Sequence, residues 1–324
     1  MNIVVQKYGG SSVANKEKLE LVIDKIEKQI KENNKVVVVV SAQGKTTDGL
    51  IEKAKEYSLK THNREMDLLL STGEIQTVAL LTMMLKDKGY DAIGLTGSQA
   101  GIITDSNFSN AKIKMVMSEN ILKHLESNKI VVIAGFQGVD KFGNITTLGR
   151  GGSDLSAVAI AASVKATRCE IYTDVDGVFE ADPNKIHRAK LLKSISYDEM
   201  LEAATAGAKV LHNRAVSLAK KYRLKINVKN TRGDNEGTEV DETNIINECY
   251  KAKIVAVQKG LSKITLIGEH MYSNLEYIWK IYDAAKKNNI VIYMLSFSEV
   301  SINIIVEEKD VDEFSNILYK EIME

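Results

Sequence analysis

Five consecutive valines, Val36–Val40, narrow the possible folds of this chain more than any other feature. A strand that is apolar at every position is buried on both faces, which is typical of a parallel sheet covered by helices. A second such run is Ile130–Ala134, and helix patterns lie before and between the two runs. The first of these patterns places five apolar residues on one face: Leu19, Val22, Ile23, Ile26 and Ile30. The sequence therefore predicts an α/β fold with a parallel-rich sheet sandwiched by helices.

The valine run leads into a polar loop that resembles half of a P-loop. The full signature needs a glycine five residues before the pair Gly44-Lys45, and that position is Val39, inside the strand. We therefore reject a P-loop. In parallel sheets, ligands bind beyond the carboxyl ends of the strands, so the loops that follow strands are the candidates for function.

Two glycine-containing loops have the composition of anion sites. The first is KYGGSS, residues 7–12, in which Lys7 precedes Gly9 and Gly10 at the start of a helix. The second is LGRGGSD, residues 148–154, in which Arg150 lies between glycines. An arginine fork suits a carboxylate or a phosphate. A plain strand–helix turn and a simple helix cap remain alternatives at these two places.

Three further stretches add polar groups: STGE at 71–74, YTDVDGVF at 172–179 and GAKVLH at 207–212. The second lacks the later glutamate of a calcium loop. Taken alone, these stretches are surface turns or solvated charges. The residues show no Ser-His-Asp arrangement, and Cys169 and Cys249 are expected to be reduced packing thiols.

This set of glycine loops, cations, hydroxyls and carboxylates fits phosphoryl transfer, which depends on positioning and on neutralising negative charge. A carboxylate acceptor has a pKa of about 3.9–4.3 and is already ionised at neutral pH, so it needs no general base. The residues alone therefore suggest a kinase that acts on an acid.

Charge and length bound the remaining possibilities. The 43 basic and 43 acidic residues cancel, which argues against nucleic acid or an anionic membrane as a partner. We find no signal-peptide pattern and no apolar run that we expect to span a bilayer, so a cytoplasmic protein is expected.

The chain is expected to divide near the polar stretch at 233–248, into domains at residues 1–240 and 241–324. A helix is predicted over 111–126 in the first domain. The second domain has a β-α-β-β-α order, which is typical of a small ferredoxin-like α+β unit, and KIVAVQ at 253–258 is a candidate for its missing last strand.

Taken together, eight motifs resemble the aspartate kinase (aspartokinase) family. In chain order they are KYGGSSVA, VVVVSAQGKTTD, STGE, GLTGSQAG, TLGRGGSDLSA, YTDVDGVFEADPN, SYDEMLEAATAGAKVLH and NRAV. The resemblance covers residues 1 to about 240. It implies the amino-acid kinase fold, followed by an ACT-like regulatory domain that would also hold two chains together as a homodimer.

The resemblance also implies roles for individual residues. The catalytic residues would be Lys7, Asp154 and Lys209. The residues that bind L-aspartate would be Ser41, Thr47, Glu74, Arg150 and Ser153. Those that bind ATP would be Lys7, Gly9, Gly10, Thr173, Asp174, Phe179, Asn184 and Lys209, with no direct protein ligands to a metal. We hypothesise that Glu74 holds the substrate ammonium and Arg150 its α-carboxylate, while Lys7, Lys209 and Mg²⁺ neutralise the transferred phosphate.

The implied activity is the ATP-dependent formation of 4-phospho-L-aspartate, the first step toward lysine, threonine and methionine. The alternatives are another amino-acid kinase, acting on glutamate, acetylglutamate, carbamate or uridylate, and a catalytically silent regulatory subunit. Two departures from the family pattern are Asn184, where arginine is usual, and Asn213, where proline is usual. The tail has room for about one ACT unit rather than two, which leaves the effector open between lysine, threonine and none.

Overall fold

The structure, a computed structural model, describes residues 2–60, 62–206, 208, 210–242, 253–255, 258–268 and 275–323. It divides into two compact units, Met1–Ala256 and Val257–Glu324, each of which is described by itself. The domain division predicted after residue 240 falls next to residues 243–252, which lie outside the described part of the chain, and it stays a prediction.

The elements of the first unit alternate between strands and helices along most of its length. Its strands are β1 (Ile3–Tyr8), β2 (Lys35–Val40), β3 (Ala92–Leu95), β4 (Ile102–Thr104), β5 (Ile113–Val116), β6 (Ile130–Ala134), β7 (Gln137–Val139), β8 (Ile145–Thr147), β9 (Arg168–Thr173), β10 (Ser194–Ser196), β11 (Ile226–Asn230) and β12 (Thr238–Asp241). Its helices are α1 (Lys16–Lys31), α2 (Thr46–Tyr57), α3 (Asn63–Asp87), α4 (Glu119–Glu126), α5 (Gly152–Ser163), α6 (Tyr197–Thr205) and α7 (Asn213–Tyr222).

The main sheet has eight strands in the order β10-β12-β11-β9-β1-β2-β6-β3. All neighbours are parallel except β11 and β12. Strand β1 therefore lies between β2 and β9, and the carboxyl ends of these three strands meet at one edge. The predicted parallel-rich sheet is confirmed.

Helices cover both faces of the main sheet, so alternate residues of the same strand are buried on opposite faces. Val5 and Val39 pack with α5 on one face, while Val38 and Val40 pack with α1 on the other. Helix α1 begins where the Asn15 side chain accepts a hydrogen bond from Lys18 N at 3.0 Å, and its buried side chains have the predicted spacing. The continuous valine run is explained by burial on both sides.

Helix α3, with 25 residues, is long and apolar enough by composition to cross a bilayer. Half of the most apolar 18-residue stretch of this helix is nevertheless buried inside the protein. Asp67 and Glu74 are among its buried side chains. Burial of acidic side chains against protein is what a core helix shows, so its length and composition are weak grounds for a membrane span.

The helix predicted over 111–126 is wrong in its first half. Ile113–Val116 form β5, which pairs antiparallel with β4 in a second sheet of order β5-β4-β7-β8. Only Glu119–Glu126 are helical, with Ile121 and Leu125 buried. A strand of four residues is too short to show its alternation clearly, and pairing with β4 decides its conformation.

The second unit contains β13 (Leu261–Ile267), α8 (Leu275–Lys287), β14 (Met294–Ser298), β15 (Ser301–Glu307) and α9 (Val311–Met323). Its antiparallel sheet has the order β13-β15-β14, and its core includes Ile281, Ile304 and Phe314. The predicted β-α-β-β-α order is confirmed, as in an ACT-like unit. Within the described part of KIVAVQ, Val255 belongs to the first unit and pairs there with Ala181, so it does not extend this sheet.

Candidate functional site

The carboxyl ends of β1, β2 and β9 carry the residues that the sequence singled out. Lys7 lies near the end of β1, Ser41 follows β2, and Thr173 ends β9. The register pairs Lys7 with Val39 on one side and with Ile171 on the other. Three separate polar loops thus begin at one edge of the main sheet.

Lys7 and Asp154 form an ion pair across this edge. The distance from Lys7 Nζ to Asp154 Oδ1 is 2.7 Å, and the two side chains are only 12% and 13% exposed. Lys7 lies two residues after Val5 in β1, so it points to the same face, which is covered by α5. Asp154 lies in the first turn of α5. The pair holds the ammonium group in a fixed place at the mouth of the site.

Residues 148–154, the arginine loop, lead into α5. Gly149 and Gly151 have φ angles of 74° and 71°, a left-handed conformation that favours glycine. Arg150 between them is exposed, and among the described residues its guanidinium makes no hydrogen bond or ion pair. The Ser153 hydroxyl accepts a hydrogen bond from Ser41 Oγ at 3.0 Å, which ties this loop to the end of β2. A guanidinium free of such partners, on a loop that is tied to the end of β2, is a suitable receptor for a carboxylate.

Glu74 brings a buried carboxylate to the same place. It is 2% exposed, and its Oε1 accepts a hydrogen bond from Ala42 N at 3.1 Å. Its Oε2 is buried and has no hydrogen-bond partner among the described residues. Burial raises the pKa of Glu74 to about 7, against the lowering effect of the Ala42 amide. A buried acceptor without a partner is costly, so this atom marks a place for a donor from a ligand.

Gly73 explains why Glu74 can approach the β2 loop. A Cβ atom at Gly73 would lie 2.8 Å from Ala42 Cβ, so α3 packs directly against this loop only because residue 73 has no side chain. The STGE motif therefore has a structural reason for its glycine and a chemical one for its glutamate.

The Gly9–Gly10 turn is interlocked with the loop after β2. A Cβ at Gly10 would lie 2.9 Å from Ala42 O and 3.1 Å from Gly44 O, while Gly44 N donates to Gly10 O at 3.0 Å. A Cβ at Gly9 would lie 3.4 Å from Lys7 Nζ. Bare backbone thus lies beside the Lys7 ammonium, as the close approach of an anionic ligand requires.

Thr231 links Thr173 and Asp174 to the segment that follows the Gly9–Gly10 turn. The sequence did not single out Thr231. The hydroxyls of Ser12 and Thr231 are 2.7 Å apart, and Thr231 N donates to Thr173 O at 3.0 Å. The Thr173 hydroxyl donates to Asp174 Oδ1 at 3.0 Å. The only signal for Thr231 in the sequence is its place directly after a strand.

The remaining predicted residues are not joined to this group by described contacts. Thr47 lies in the first turn of α2, and Phe179 forms an isolated bridge with Leu191. Asn184 is exposed and donates to Asp182 Oδ1 from its own backbone and amide nitrogens. Lys209 lies outside the described residues.

A buried polar network on the opposite face of β1 and β9 was also missed. Glu170 is fully buried and accepts hydrogen bonds from Lys229 at 2.9 Å and from Gln6 at 2.9 Å. Burial opposes the ionisation of Glu170, but Lys229 and these hydrogen bonds outweigh it and hold its pKa below the usual value. Tyr8 and Tyr172 stack beside it, with ring centroids 4.7 Å apart. The network ties β1, the strand that carries Lys7, to its neighbour β9.

Two residues at the start of α7 contact the arginine loop; both lie in motifs quoted above, GAKVLH and NRAV, but no role was predicted for either from the sequence. The His212 ring lies where a Cβ on Gly151 would be, within 2.3 Å of that position. Burial lowers the pKa of His212, which favours the neutral ring. Arg214 donates to Leu148 O at 2.6 Å.

Burial raises the pKa of the Cys169 thiol, which is fully buried in β9. A buried thiol of this kind suits the packing role expected for Cys169.

Comparison with known proteins places this geometry in context. Residues 2–230 match the family model described as the amino acid kinase family. The chain is similar to the aspartokinase of Bacillus sp. (strain MGA3), with 47% identity over 290 residues, 90% of this chain and 70% of that protein. It is 43% identical to the aspartokinase of Geobacillus stearothermophilus, over 98% of this chain and 79% of that protein.

Solved structures give the same picture. The aspartate kinase from Synechocystis superposes with a TM-score of 0.68 at 34% identity, covering 97% of this chain and 54% of that one. E. coli aspartokinase III in complex with aspartate and ADP superposes with a TM-score of 0.79, covering 94% of this chain and 79% of that one. At 24% identity, the latter likeness shows the shared fold alone.

Proposed function

The chain belongs to the aspartokinases of the amino acid kinase family, a group of phosphotransferases, and from this premise we propose that it phosphorylates the β-carboxylate of L-aspartate with ATP. The product would be 4-phospho-L-aspartate. The observation that carries the choice of acceptor is the buried Glu74 carboxylate, whose Oε2 has no partner among the described residues. Its position beside the arginine loop supports a substrate with both an ammonium and a carboxylate.

Aspartate offers one ammonium and two carboxylates, and we assign each to a receptor. Glu74 would hold the ammonium, and the Arg150 fork would hold the α-carboxylate. The hydroxyls of Ser41, Thr47 and Ser153 would complete the substrate pocket. The contact between Ser41 and Ser153 supports this grouping, since it joins the β2 loop to the arginine loop.

The phosphates of ATP would lie at the Gly9–Gly10 turn. The ammonium of Lys7 and the side-chain-free backbone beside it fit a polyphosphate. Thr173 and Asp174 would contact the rest of the nucleotide, and we extend this role to Phe179 and Asn184 beyond them. Lys209 is proposed as a second phosphate-binding lysine from the sequence motif alone.

Mg²⁺ would be bound through the nucleotide. Within the described residues, no group of three or more His, Cys, Asp or Glu side chains could hold a metal ion. When bound with the nucleotide, Mg²⁺ supplies further neutralisation of the phosphate oxygens. The fit of the turn to a polyphosphate supports this mode of binding.

The reaction then needs positioning rather than a base. A β-carboxylate oxygen of aspartate attacks the γ-phosphorus, the bond from that phosphorus to the bridging oxygen breaks, and ADP leaves. Because the attacking carboxylate carries no proton, no proton acceptor is required. Asp154 would keep Lys7 aimed at the phosphate, and Lys7 would stabilise the charge that develops during transfer.

The Glu74 carboxylate also helps to decide between related acceptors. Carbamate, uridylate and acetylglutamate carry no ammonium group, so each would leave Oε2 of Glu74 without an ionic partner. Glutamate does carry an ammonium group, and its side chain is longer than that of aspartate by one methylene group. To exclude glutamate, the pocket would have to be too short for this longer side chain. The 20%-identical UMP kinase from Bacillus anthracis shares the fold with a TM-score of 0.54, so the acceptor must be chosen by side chains and not by the fold.

A coupled assay tests the proposal directly. ADP release is measured with ATP and Mg²⁺ and with aspartate, glutamate, acetylglutamate, carbamate or uridylate as acceptor. We expect turnover with aspartate well above that with the other acids. Preference for another acceptor would refute the assignment, and an inactive purified chain that still binds an amino-acid effector would favour a silent regulatory subunit.

We further propose that the second unit is an ACT-like regulatory domain that joins two chains in a homodimer. Exposed apolar side chains on this unit support a protein contact, among them Ile267 (79% exposed), Trp279 (70%) and Met294 (60%). We also propose that the enzyme works in the cytoplasm. Its reaction would be the first step in the synthesis of lysine, through diaminopimelate, and of threonine and methionine. Light scattering of the purified chain would give the mass of one chain if this unit does not dimerise.

A further inference from the structure

Arg214 holds the backbone at the first residue of the arginine loop. It lies near the start of α7, and its Nη1 donates to Leu148 O at 2.6 Å and to Asn110 Oδ1 at 3.3 Å. Its Nη2 donates to Ala111 O at 2.9 Å. One planar guanidinium thus binds the carbonyl of the first residue of the loop and a neighbouring segment of chain.

The arginine loop depends on such outside contacts. Arg150 lies between two left-handed glycines, Gly149 and Gly151, which have the greatest backbone freedom. Because the exposed Arg150 side chain makes no hydrogen bond or ion pair with the described residues, it does not fix its own backbone. The chain is held at Leu148 by Arg214 and at Gly151 by the His212 ring.

Resting on the function proposed above, we propose that Arg214 is a positioning residue that aims Arg150 at the α-carboxylate of the substrate. Arg214 does not itself touch the substrate in this arrangement. It fixes the backbone from which the Arg150 fork extends, and a shift of about 1 Å in such a fork is enough to weaken binding strongly. The effect of Arg214 must therefore pass through Arg150.

A double-mutant cycle tests this dependence. Arg214→Gln, Arg150→Gln and the double variant are compared by calorimetric titration with aspartate in the presence of ADP, and by steady-state kinetics. Each single change is expected to weaken aspartate binding about 10- to 100-fold, the range for loss of a hydrogen bond from a charged group. The KM for ATP should stay within about twofold, because the nucleotide site is untouched. The double variant should be no weaker than Arg150→Gln.

A second probe separates positioning from general damage. β-Alanine has the ammonium and the reacting carboxylate of aspartate but lacks the α-carboxylate. Its affinity should be the same in wild-type protein and in Arg214→Gln, because the group that Arg150 grips is absent. Equal weakening of aspartate and β-alanine, or additive losses in the double variant, would overturn the role of Arg214.

Arg223→Gln is the matched control, since this arginine directly follows the same helix, is 81% exposed in its side chain and, among the described residues, forms one ion pair, with Glu242 at 3.5 Å. It should bind aspartate as wild type does. If Arg214→Gln does not fold, Arg214→Lys, which keeps one donor for Leu148 O, is tested with the same two ligands and should show the same selective loss in weaker form. A wild-type protein that does not phosphorylate aspartate would refute the proposed function. An active wild type with additive losses would refute only this inference.

Discussion

Replacing Glu74 by glutamine keeps the shape of a buried side chain and removes its charge. In the structure the carboxylate is 2% exposed, accepts a hydrogen bond from Ala42 N through Oε1, and has no partner for Oε2 within the part of the chain that the structure describes. A glutamine oxygen that accepts from Ala42 N leaves the amide NH2, a donor, in the place of Oε2. If Oε2 receives the substrate ammonium, the substitution therefore removes this charged hydrogen bond. The loss is about 2 kcal/mol, which corresponds to a roughly 30-fold rise in the KM for aspartate. The KM for ATP should not change.

The raised pKa gives this prediction a pH dependence. With a pKa of about 7, Glu74 is mostly protonated below pH 7 and mostly ionised above it. Only the ionised form binds the ammonium as an ion pair, so the affinity for aspartate should rise by about tenfold between pH 6 and pH 8. The groups of free aspartate do not titrate in this window. Because phosphate groups titrate near pH 6, affinity is measured by calorimetry with aspartate alone, without nucleotide.

Stability should change in the opposite direction. The pKa of Glu74 is raised in the folded protein from 4.5 to about 7, so the folded state holds this proton more tightly than the unfolded state does. Stability is therefore lost as pH rises from about 4.5 to 7, by about 3 kcal/mol in all. Glu74→Gln removes this cost. In urea unfolding at pH 8, the variant should be more stable than wild type by about 2–3 kcal/mol, and the difference should vanish near pH 4.5.

Glu65→Gln is the control, because Glu65 lies exposed at the start of the same helix and pairs with Arg64. It should leave aspartate affinity and its pH profile unchanged. The reasoning would be refuted if Glu74→Gln bound aspartate as wild type does, or if the wild-type affinity were flat from pH 6 to pH 8.

Four other outcomes are expected. Arg150→Lys loses the planar fork and should raise the KM for aspartate by about tenfold or more in steady-state kinetics; an unchanged KM would remove Arg150 from the substrate site. Lys7→Ala should lower kcat by about 10²- to 10³-fold with an unchanged far-UV circular dichroism spectrum, whereas wild-type turnover would contradict its role. Gly10→Ala would place a Cβ 2.9 Å from Ala42 O and should raise the KM for ATP and lower Tm; no change in either would mean that the turn is looser than described. Titration calorimetry with lysine and with threonine tests the second unit, and binding of either would show that it senses an amino acid as well as joining chains.

Much of the architecture follows from local sequence alone. The all-valine strand β2 can be stable only when both of its faces are covered, and the spacing of apolar residues in α1 allows one buried face. These patterns depend on residues a few positions apart, so they can be recognised without knowledge of the fold. The short strand β5 could not be recognised, because its four residues take their conformation from pairing with β4.

Some residues of the candidate site could likewise be predicted from the sequence, and others could not. Glycine loops and charged residues after strands marked the arginine loop and the Gly9–Gly10 turn as candidates, and motif resemblance supplied roles for the residues in them. Thr231 had no such signal, and Arg214 lay in the NRAV motif without a role, because the contacts of both residues are with carbonyl and hydroxyl groups of distant segments.

The sequence by itself determined that the chain alternates strands and helices, that its strands end in polar loops, and which charged residues those loops carry. Only the tertiary structure decided that Lys7 lies 2.7 Å from Asp154 and that Glu74 is buried with an oxygen left for a donor. The physical reason is the separation in sequence between the interacting residues. Strand and helix patterns are set by near neighbours in the chain, whereas ion pairing and loss of solvent depend on segments that only the folded sheet brings together.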